Sequence, residues 1–223
     1  MDKPIAAIFD MDGVLVDTYQ AHFRSWLEMA ASEGLPFSEE EFAPTFGRTS
    51  REIIAHFWGE NRYNDARIAE LDRRKEAAFR RVIADHFPAM PGAVDLLRSL
   101  HKAGFRLAVG SSGPPENVQV VVDKLAARDL FGAIVTGADV TRGKPAPQVF
   151  LLAAERLGVP PPRCAVIEDA AVGVAAANAA GMTSVGLVST GRTREELAAA
   201  AAVVGSLSEI SPSLLRNLIA SRP

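Results

Sequence analysis

Cysteine is almost missing from this chain of 223 residues: Cys164 stands alone, so no intrachain disulfide can form. That fits a reducing, cytoplasmic setting. The thiol opens the apolar run Ala165-Val166-Ile167 and reads as core rather than as a reactive group. Long apolar runs are lacking too. No stretch reaches the roughly 18 uninterrupted apolar residues of a membrane-spanning helix. Met1-Asp2-Lys3-Pro4 has no basic region ahead of a long apolar segment, so no secretory signal is expected. Neither sign of charge dominates, the net charge being −3. No general field attracts nucleic acid or an anionic membrane, although a local basic pocket stays open. A Gly-x-x-x-x-Gly-Lys-Ser/Thr loop is absent, which argues against an ATP-binding P-loop. With 48% hydrophobic and 23% charged residues, what is present is ordinary for a soluble globular protein. A chain of this length buries roughly 70–75% of its extended surface, as one large domain or a core with one insertion.

The chain begins with an apolar run, Ile5-Ala6-Ala7-Ile8-Phe9, that ends on Asp10-Met11-Asp12-Gly13. Such a run reads as a fully buried strand of a parallel sheet. From Thr18 to about Phe87 the spacing is helical. Phe23, Trp26, Leu27, Ala30 and Ala31 share one helix, stopped at Gly34. Ser38-Glu39-Glu40-Glu41 and Thr49-Ser50-Arg51-Glu52 both have the form of a capping box. A long charged helix follows over about 64–84, with Ile68, Leu71, Ala78, Phe79 and Val82 as its stripe. Beyond Pro91-Gly92, strands alternate with helices of about ten residues. The strands are expected at 105–109, near 133–135, at 164–167 and at 183–187, with helices closing the chain. Such alternation means right-handed βαβ units and a parallel sheet. The alanine-rich stretches 175–177 and 198–202 fit helix propensity and close packing. The expected domains are a core of residues 1–17 and 88–223 and a helical insertion of residues 18–87.

The unusual polar residues fall at strand C-termini or in the loops that follow. Asp10 and Asp12 follow the first strand, Ser111 and Ser112 the second, Lys144 the third, and Glu168 and Asp169 the fourth. In a parallel sheet these ends share one edge, so four distant segments meet in one crevice. Each segment alone has a plain explanation as a turn, a cap or a solvated lysine. Together their chemistry is complementary. Asp10, Asp12, Glu168 and Asp169 supply oxygens of the kind that hold Mg²⁺, which bridges to substrate phosphate. Metals needing His or Cys are disfavoured, since neither residue occurs in these segments. Ser111 offers a hydroxyl, the Ser112 and Gly113 amides a small phosphate nest, and Lys144 a point positive charge extended by Pro145. The set points to phosphoryl transfer.

Asp10-Met11-Asp12-Gly13, Ser111, Lys144-Pro145 and Glu168-Asp169, in that order, resemble the motif set of the haloacid dehalogenase superfamily. The resemblance covers essentially the whole chain, including a helical cap of the C1 type inserted after the first motif. It implies a doubly wound, Rossmann-like α/β core with an all-helical cap. Position by position it also implies an aspartyl-phosphate mechanism. Asp10 is then the nucleophile and Asp12 the general acid and base, while Lys144 and Ser111 hold the phosphoryl oxygens. Mg²⁺ would be bound by Asp10, the Asp12 main-chain carbonyl and Asp169, with Glu168 in support. True dehalogenases lack the second aspartate, so Asp12 argues against carbon–halogen hydrolysis.

Within the superfamily the chain is most similar to the β-phosphoglucomutase-like branch. His22 resembles a cap histidine that meets the acid/base aspartate, and Arg74-Lys75 lies where that branch has a substrate-selecting lysine. Gly47-Arg48-Thr49-Ser50-Arg51 is one residue longer than the branch pattern, so either Arg48 or Arg51 would hold a distal substrate group. Ser112-Gly113-Pro114-Pro115 departs from the mutase. The plain alternatives are packing for Trp26, Phe57 and Trp58, a surface or helix-end place for His56, His86 and His101, and a solvated face for Arg73-Arg74 and Arg80-Arg81. The leading expectation is a Mg²⁺-dependent phosphatase acting on a small phosphorylated metabolite such as a sugar phosphate, working as a monomer or weak homodimer. A phosphomutase using the same residues is the second. A catalytically silent binding protein is the third, and the intact motif residues weigh against it.

Overall fold

The computed structural model describes residues 3–46 and 48–221. Gly47, the first residue of the 47–51 pattern, and Met1-Asp2 of the N-terminal segment lie outside the described residues. The chain divides into two compact units. One ends at Asp17 and resumes at Pro88, and the other is Thr18–Phe87. Among the described residues no helix is long and apolar enough to cross a membrane.

The first unit is built on β1 (Ile5–Phe9) and continues after the second unit with α5 (Ala93–Lys102), β2 (Phe105–Gly110), α6 (Pro115–Lys124) and β3 (Phe131–Val135). Then come α7 (Gln148–Leu157), β4 (Cys164–Glu168), α8 (Ala171–Ala179), β5 (Thr183–Leu187), β6 (Ala202–Val204) and α9 (Pro212–Ala220). The six strands form one sheet in the order β3-β2-β1-β4-β5-β6, every pair parallel. Strand residues alternate in direction. Ala6, Ile8, Ala108, Val135 and Val166 on one face pack with Val149 and Phe150 of α7 and Ala176 and Ala177 of α8. Ala7, Phe9, Leu107, Val109 and Ile167, of the opposite parity, are equally buried. Both faces are covered, which is why β1 reads as an unbroken apolar run. The sheet grows leftwards from β1 through β2 and rightwards through β4. The β1/β4 junction is therefore the topological switch point, where an open α/β sheet leaves a crevice at its C-terminal edge.

The stretch expected to be helical around Ala198–Ala202 forms turns, with Leu197 N–H donating to Arg194 O and Ala200 N–H to Leu197 O, and then enters β6. Ala201 N–H donates to Ser184 O, which pulls the chain onto the sheet edge. A Cβ at Gly186 would lie 3.0 Å from Leu197 Cβ and 3.4 Å from Ala200 Cβ, so the alanines are used for close approach to β5 rather than for helix propensity.

The second unit contains α1 (Tyr19–Ser32), α2 (Glu39–Phe42), α3 (Ser50–Trp58) and α4 (Asp65–Asp85). Thr49 and Glu52 form the expected reciprocal capping box, whereas at the other site Ser38 accepts the Glu41 amide and donates to the Glu41 carboxylate. Trp26, Phe42, Ile53, Ile54, Trp58 and Leu71 make the core, with Phe57 packed against it. The aromatic residues expected to pack do so. The α4 stripe runs Ile68, Leu71, Lys75, Ala78, Phe79 and then Ile83, not Val82. The stripe thus admits one charged residue, Lys75. Glu33 ties α1 to α4 by accepting from Arg67 and, at 2.6 Å, from Arg74.

Trp26 is 1% exposed and the next residue, Leu27, is 41% exposed. Trp26→Ala is expected to cost about 3–5 kcal/mol and Leu27→Ala about 0.5 kcal/mol or less in urea unfolding. Similar losses for the two variants would contradict this packing.

Candidate active site at the sheet edge

Asp10 leaves β1 beside β4, its amide donating to Ile167 O at 3.0 Å. The chain then coils on itself, with Gly13 N–H donating to Val16 O at 2.8 Å and Leu15 N–H to Met11 O at 2.9 Å. Gly13 is required twice over. Its φ of +74° is left-handed, and a Cβ there would fall 2.0 Å from Asp169 Oδ2. The coil ends at Val16-Asp17, where Asp17 N–H donates to Pro88 O and Met90 N–H to Leu15 O. The departing and returning chains are thereby joined within the first unit.

Lys144 lies in the loop between β3 and α7, and its peptide bond to Pro145 is cis. Its ammonium sits 2.5 Å from Asp10 Oδ1 and 2.7 Å from Glu168 Oε1, over the Phe150 ring at 4.8 Å. Glu168 ends β4 against the start of α8. Ala170 N–H donates to its Oε2 at 2.8 Å, and a Cβ at Gly173 would overlap Oε1 at 1.7 Å. A helix N-terminus and a missing side chain together make room for a buried carboxylate. Asp169, also buried, accepts from Ser189 Oγ at Oδ2, 2.7 Å away. Arg192 Nε is 3.8 Å from the same oxygen.

One oxygen from each of Asp10, Glu168 and Asp169 lies within 4.8 Å of the others, and all three residues are buried. Their electrostatics show strain of one sign. Burial, with Glu168, Asp12 and Asp169 adding to it, drives the Asp10 carboxyl well above the usual range, against the pull of Lys144. Burial and Glu168 push Asp169 up to about 7, while Ser189 and Arg192 pull the other way. Burial opposes the charge on Lys144, but Asp10 and Glu168 outweigh it and hold the ammonium above its usual range. A pocket of oxygen donors with surplus negative charge fits a hard divalent cation, and no sulfur or imidazole ligand belongs to it. Asp12, half-buried one turn on, contributes no carboxylate to this cluster.

Ser111 is fully buried after β2, with its amide donating to Val135 O. The Gly113 amide donates to Ser111 Oγ at 3.0 Å, so it is engaged within the turn rather than presented as half of a nest. Ser112 is exposed, and its carbonyl closes on Gly137, where a Cβ would lie 2.4 Å away. In the second unit, Lys75 Nζ contacts His22 Nδ1 at 2.8 Å and Glu76 Oε1 at 2.7 Å, and His22 stacks on Phe79. Arg51 pairs with Asp65 at 2.7 Å, and Arg48 is exposed. Lys75 and His22 therefore contact each other within their own unit.

Sequence reasoning missed Ser189, Thr190 and Arg192. The signal was available, because Ser189-Thr190-Gly191-Arg192 follows β5 at the same edge as the other motifs. Thr190 Oγ1 donates to Asp17 Oδ2 at 2.8 Å, which fastens this loop to the end of the β1 coil.

Comparison with known proteins agrees with this picture. A family model described as haloacid dehalogenase-like hydrolase matches residues 6–181. The β-phosphoglucomutase of Bacillus subtilis (strain 168) is 37% identical over 188 residues, 82% of each chain. The Escherichia coli (strain K12) fructose-1-phosphate phosphatase YqaB is 36% identical over 80% of this chain and 93% of its own. Among solved structures, CbbY from Rhodobacter sphaeroides in complex with phosphate superposes with a TM-score of 0.83 at 32% identity, covering 92% of this chain and 96% of that one.

An acid whose folded-state pKa is raised holds its proton more tightly folded than unfolded. Asp169, held near 7, thus makes the metal-free protein lose stability as pH rises from the ordinary aspartate range through about 7. Added Mg²⁺ is expected to raise Tm by several degrees at about pH 8 and by little at about pH 5, where a proton occupies Asp169. Calorimetry with and without Mg²⁺ checks this, and an equal gain at both pH values would contradict it.

Proposed function

Because the chain belongs to the haloacid dehalogenase-like hydrolase family, we propose that it is a Mg²⁺-dependent phosphatase of small phosphorylated metabolites, sugar phosphates in particular. The observation that carries this reading is Lys144 bridging Asp10 and Glu168 beside Asp169, at the C-terminal edge of β1 and β4. The names of the relatives support the substrate class, one being a fructose-1-phosphate phosphatase and another a β-phosphoglucomutase.

Asp10 attacks phosphorus, the bond from phosphorus to the sugar oxygen breaks, and an aspartyl-phosphate forms. Asp12 gives its proton to the departing alkoxide. A water then attacks the aspartyl-phosphate while Asp12 takes the water's proton, which releases phosphate and restores Asp10. Lys144 holds Asp10 Oδ1 and, with the Ser111 hydroxyl, the equatorial phosphoryl oxygens. Asp10, the Asp12 main-chain carbonyl and Asp169, with Glu168 in support, would hold Mg²⁺, which would supply positive charge against the carboxylates and the transferring group. His22, Lys75 and one of Arg48 and Arg51 are assigned to substrate selection by the cap.

The second reading keeps every core role and replaces water by a sugar hydroxyl, making the enzyme a phosphomutase. The 37% identity to a β-phosphoglucomutase favours it. A single panel separates the two. Fructose 1-phosphate and related sugar phosphates are incubated with enzyme and Mg²⁺ and assayed for free phosphate. β-Glucose 1-phosphate with a bisphosphate primer is assayed for glucose 6-phosphate. Hydrolysis is expected to exceed isomerisation; the reverse ratio would establish the mutase.

Asp10→Asn and excess EDTA are each expected to abolish phosphate release. Asp12→Asn is expected to lower kcat by about 10²–10⁴-fold. Persistent turnover in Asp10→Asn would sink the covalent mechanism, and near-wild-type turnover in Asp12→Asn would remove its acid/base role.

A further inference from the structure

Asp169 follows directly on β4 and shares a space with Asp10 and Glu168, and to hold a cation there it would have to turn one of its two carboxylate oxygens towards them. Three features settle its direction. Gly13 leaves open the volume that Asp169 Oδ2 occupies, since a Cβ there would lie 2.0 Å from that oxygen and 3.0 Å from Ser189 Oγ. Ser189 Oγ donates to Oδ2 at 2.7 Å. The loop carrying Ser189 is pinned on both sides, by Val188 N–H donating to Val204 O at 2.9 Å and by Thr190 Oγ1 donating to Asp17 Oδ2 at 2.8 Å. With Oδ2 taken up by the hydroxyl, Oδ1 is the oxygen left for a cation.

We propose that Ser189, in the loop after β5, is a positioning residue that orients Asp169 for the divalent ion. The inference rests on the metal-dependent reading above and deepens it. Hydrogen bonds from outer residues to metal-binding carboxylates commonly change affinity by about 10–100-fold when removed. Ser189 makes no contact with substrate in this scheme, so its loss weakens the ion's hold while leaving the loaded enzyme's chemistry close to normal.

The test is Mn²⁺ binding to the full-length protein by electron paramagnetic resonance, with Mg²⁺ calorimetry alongside, for wild type, Ser189→Ala, Ser189→Thr and Thr190→Ala. Ser189→Ala is expected to weaken Mn²⁺ about tenfold or more, Ser189→Thr to recover most of that, and Thr190→Ala, which removes one pin of the loop but keeps the hydroxyl, to lose clearly less than Ser189→Ala. In turnover, Ser189→Ala should need more Mg²⁺ for half-maximal rate but approach the wild-type kcat at saturation. Wild-type affinity in Ser189→Ala would overturn the proposal. So would an equal loss in Thr190→Ala, because loop order rather than the hydroxyl would then be responsible. If wild type itself binds no Mn²⁺, the metal-dependent reading fails first and takes this inference with it.

Discussion

Lys144 Nζ stands between Asp10 Oδ1 and Glu168 Oε1, at 2.5 and 2.7 Å, with Asp169 completing the group. Three carboxylates against the Lys144 ammonium alone leave two surplus negative charges when all are ionised, partly offset by Arg192 at 3.8 Å from Asp169. Buried charge is costly unless it is paired, and this group is paired only in part. Burial first, and the neighbouring carboxylates after it, explain why Asp10 and Asp169 hold protons so tightly without metal. In the proposed reaction a divalent cation would remove the surplus and leave Lys144 to meet the oxygens of an incoming phosphoryl group.

The sheet order makes this concentration of charge possible. Asp10 and Glu168 come from neighbouring strands at the switch point, so the crevice between them is a product of topology rather than of any one loop. Glycines then remove the atoms that would prevent it. Gly13 admits Asp169, and Gly173 admits Glu168 at the first turn of α8. The β5 loop adds the hydroxyl that directs Asp169, and its neighbour Thr190 secures Asp17, where the chain departs for the helical unit.

Much of this was legible in the residues because parallel sheets give clear signals. β1 and β4 are buried on both faces and read as apolar runs, and their polar termini mark the functional edge. Legibility failed where one local signal served two structures. Alanine at 198–202 favours a helix, yet here its small size lets turns press on Gly186 before β6. The Gly113 amide suggested half of an anion nest, but the nearby Ser111 hydroxyl engages it. Lys75 read as a substrate-selecting cap lysine, and its burial in the apolar stripe of α4 beside His22, Trp26 and Phe79 was not foreseen. Ser189 was overlooked because serine in a loop has no distinctive spacing, although its place after β5 obeyed the rule that found the other motifs.

The proposed exchange is of protons on the unbalanced carboxylate cluster for a divalent ion. It is tested most directly by Mg²⁺ calorimetry at about pH 6.5 in buffers of different ionisation enthalpy, which counts the protons released on binding. With Asp169 held near 7 and Asp10 also raised, release of more than about half a proton per Mg²⁺ bound is predicted. Binding with no proton release, or no binding at all, would contradict it.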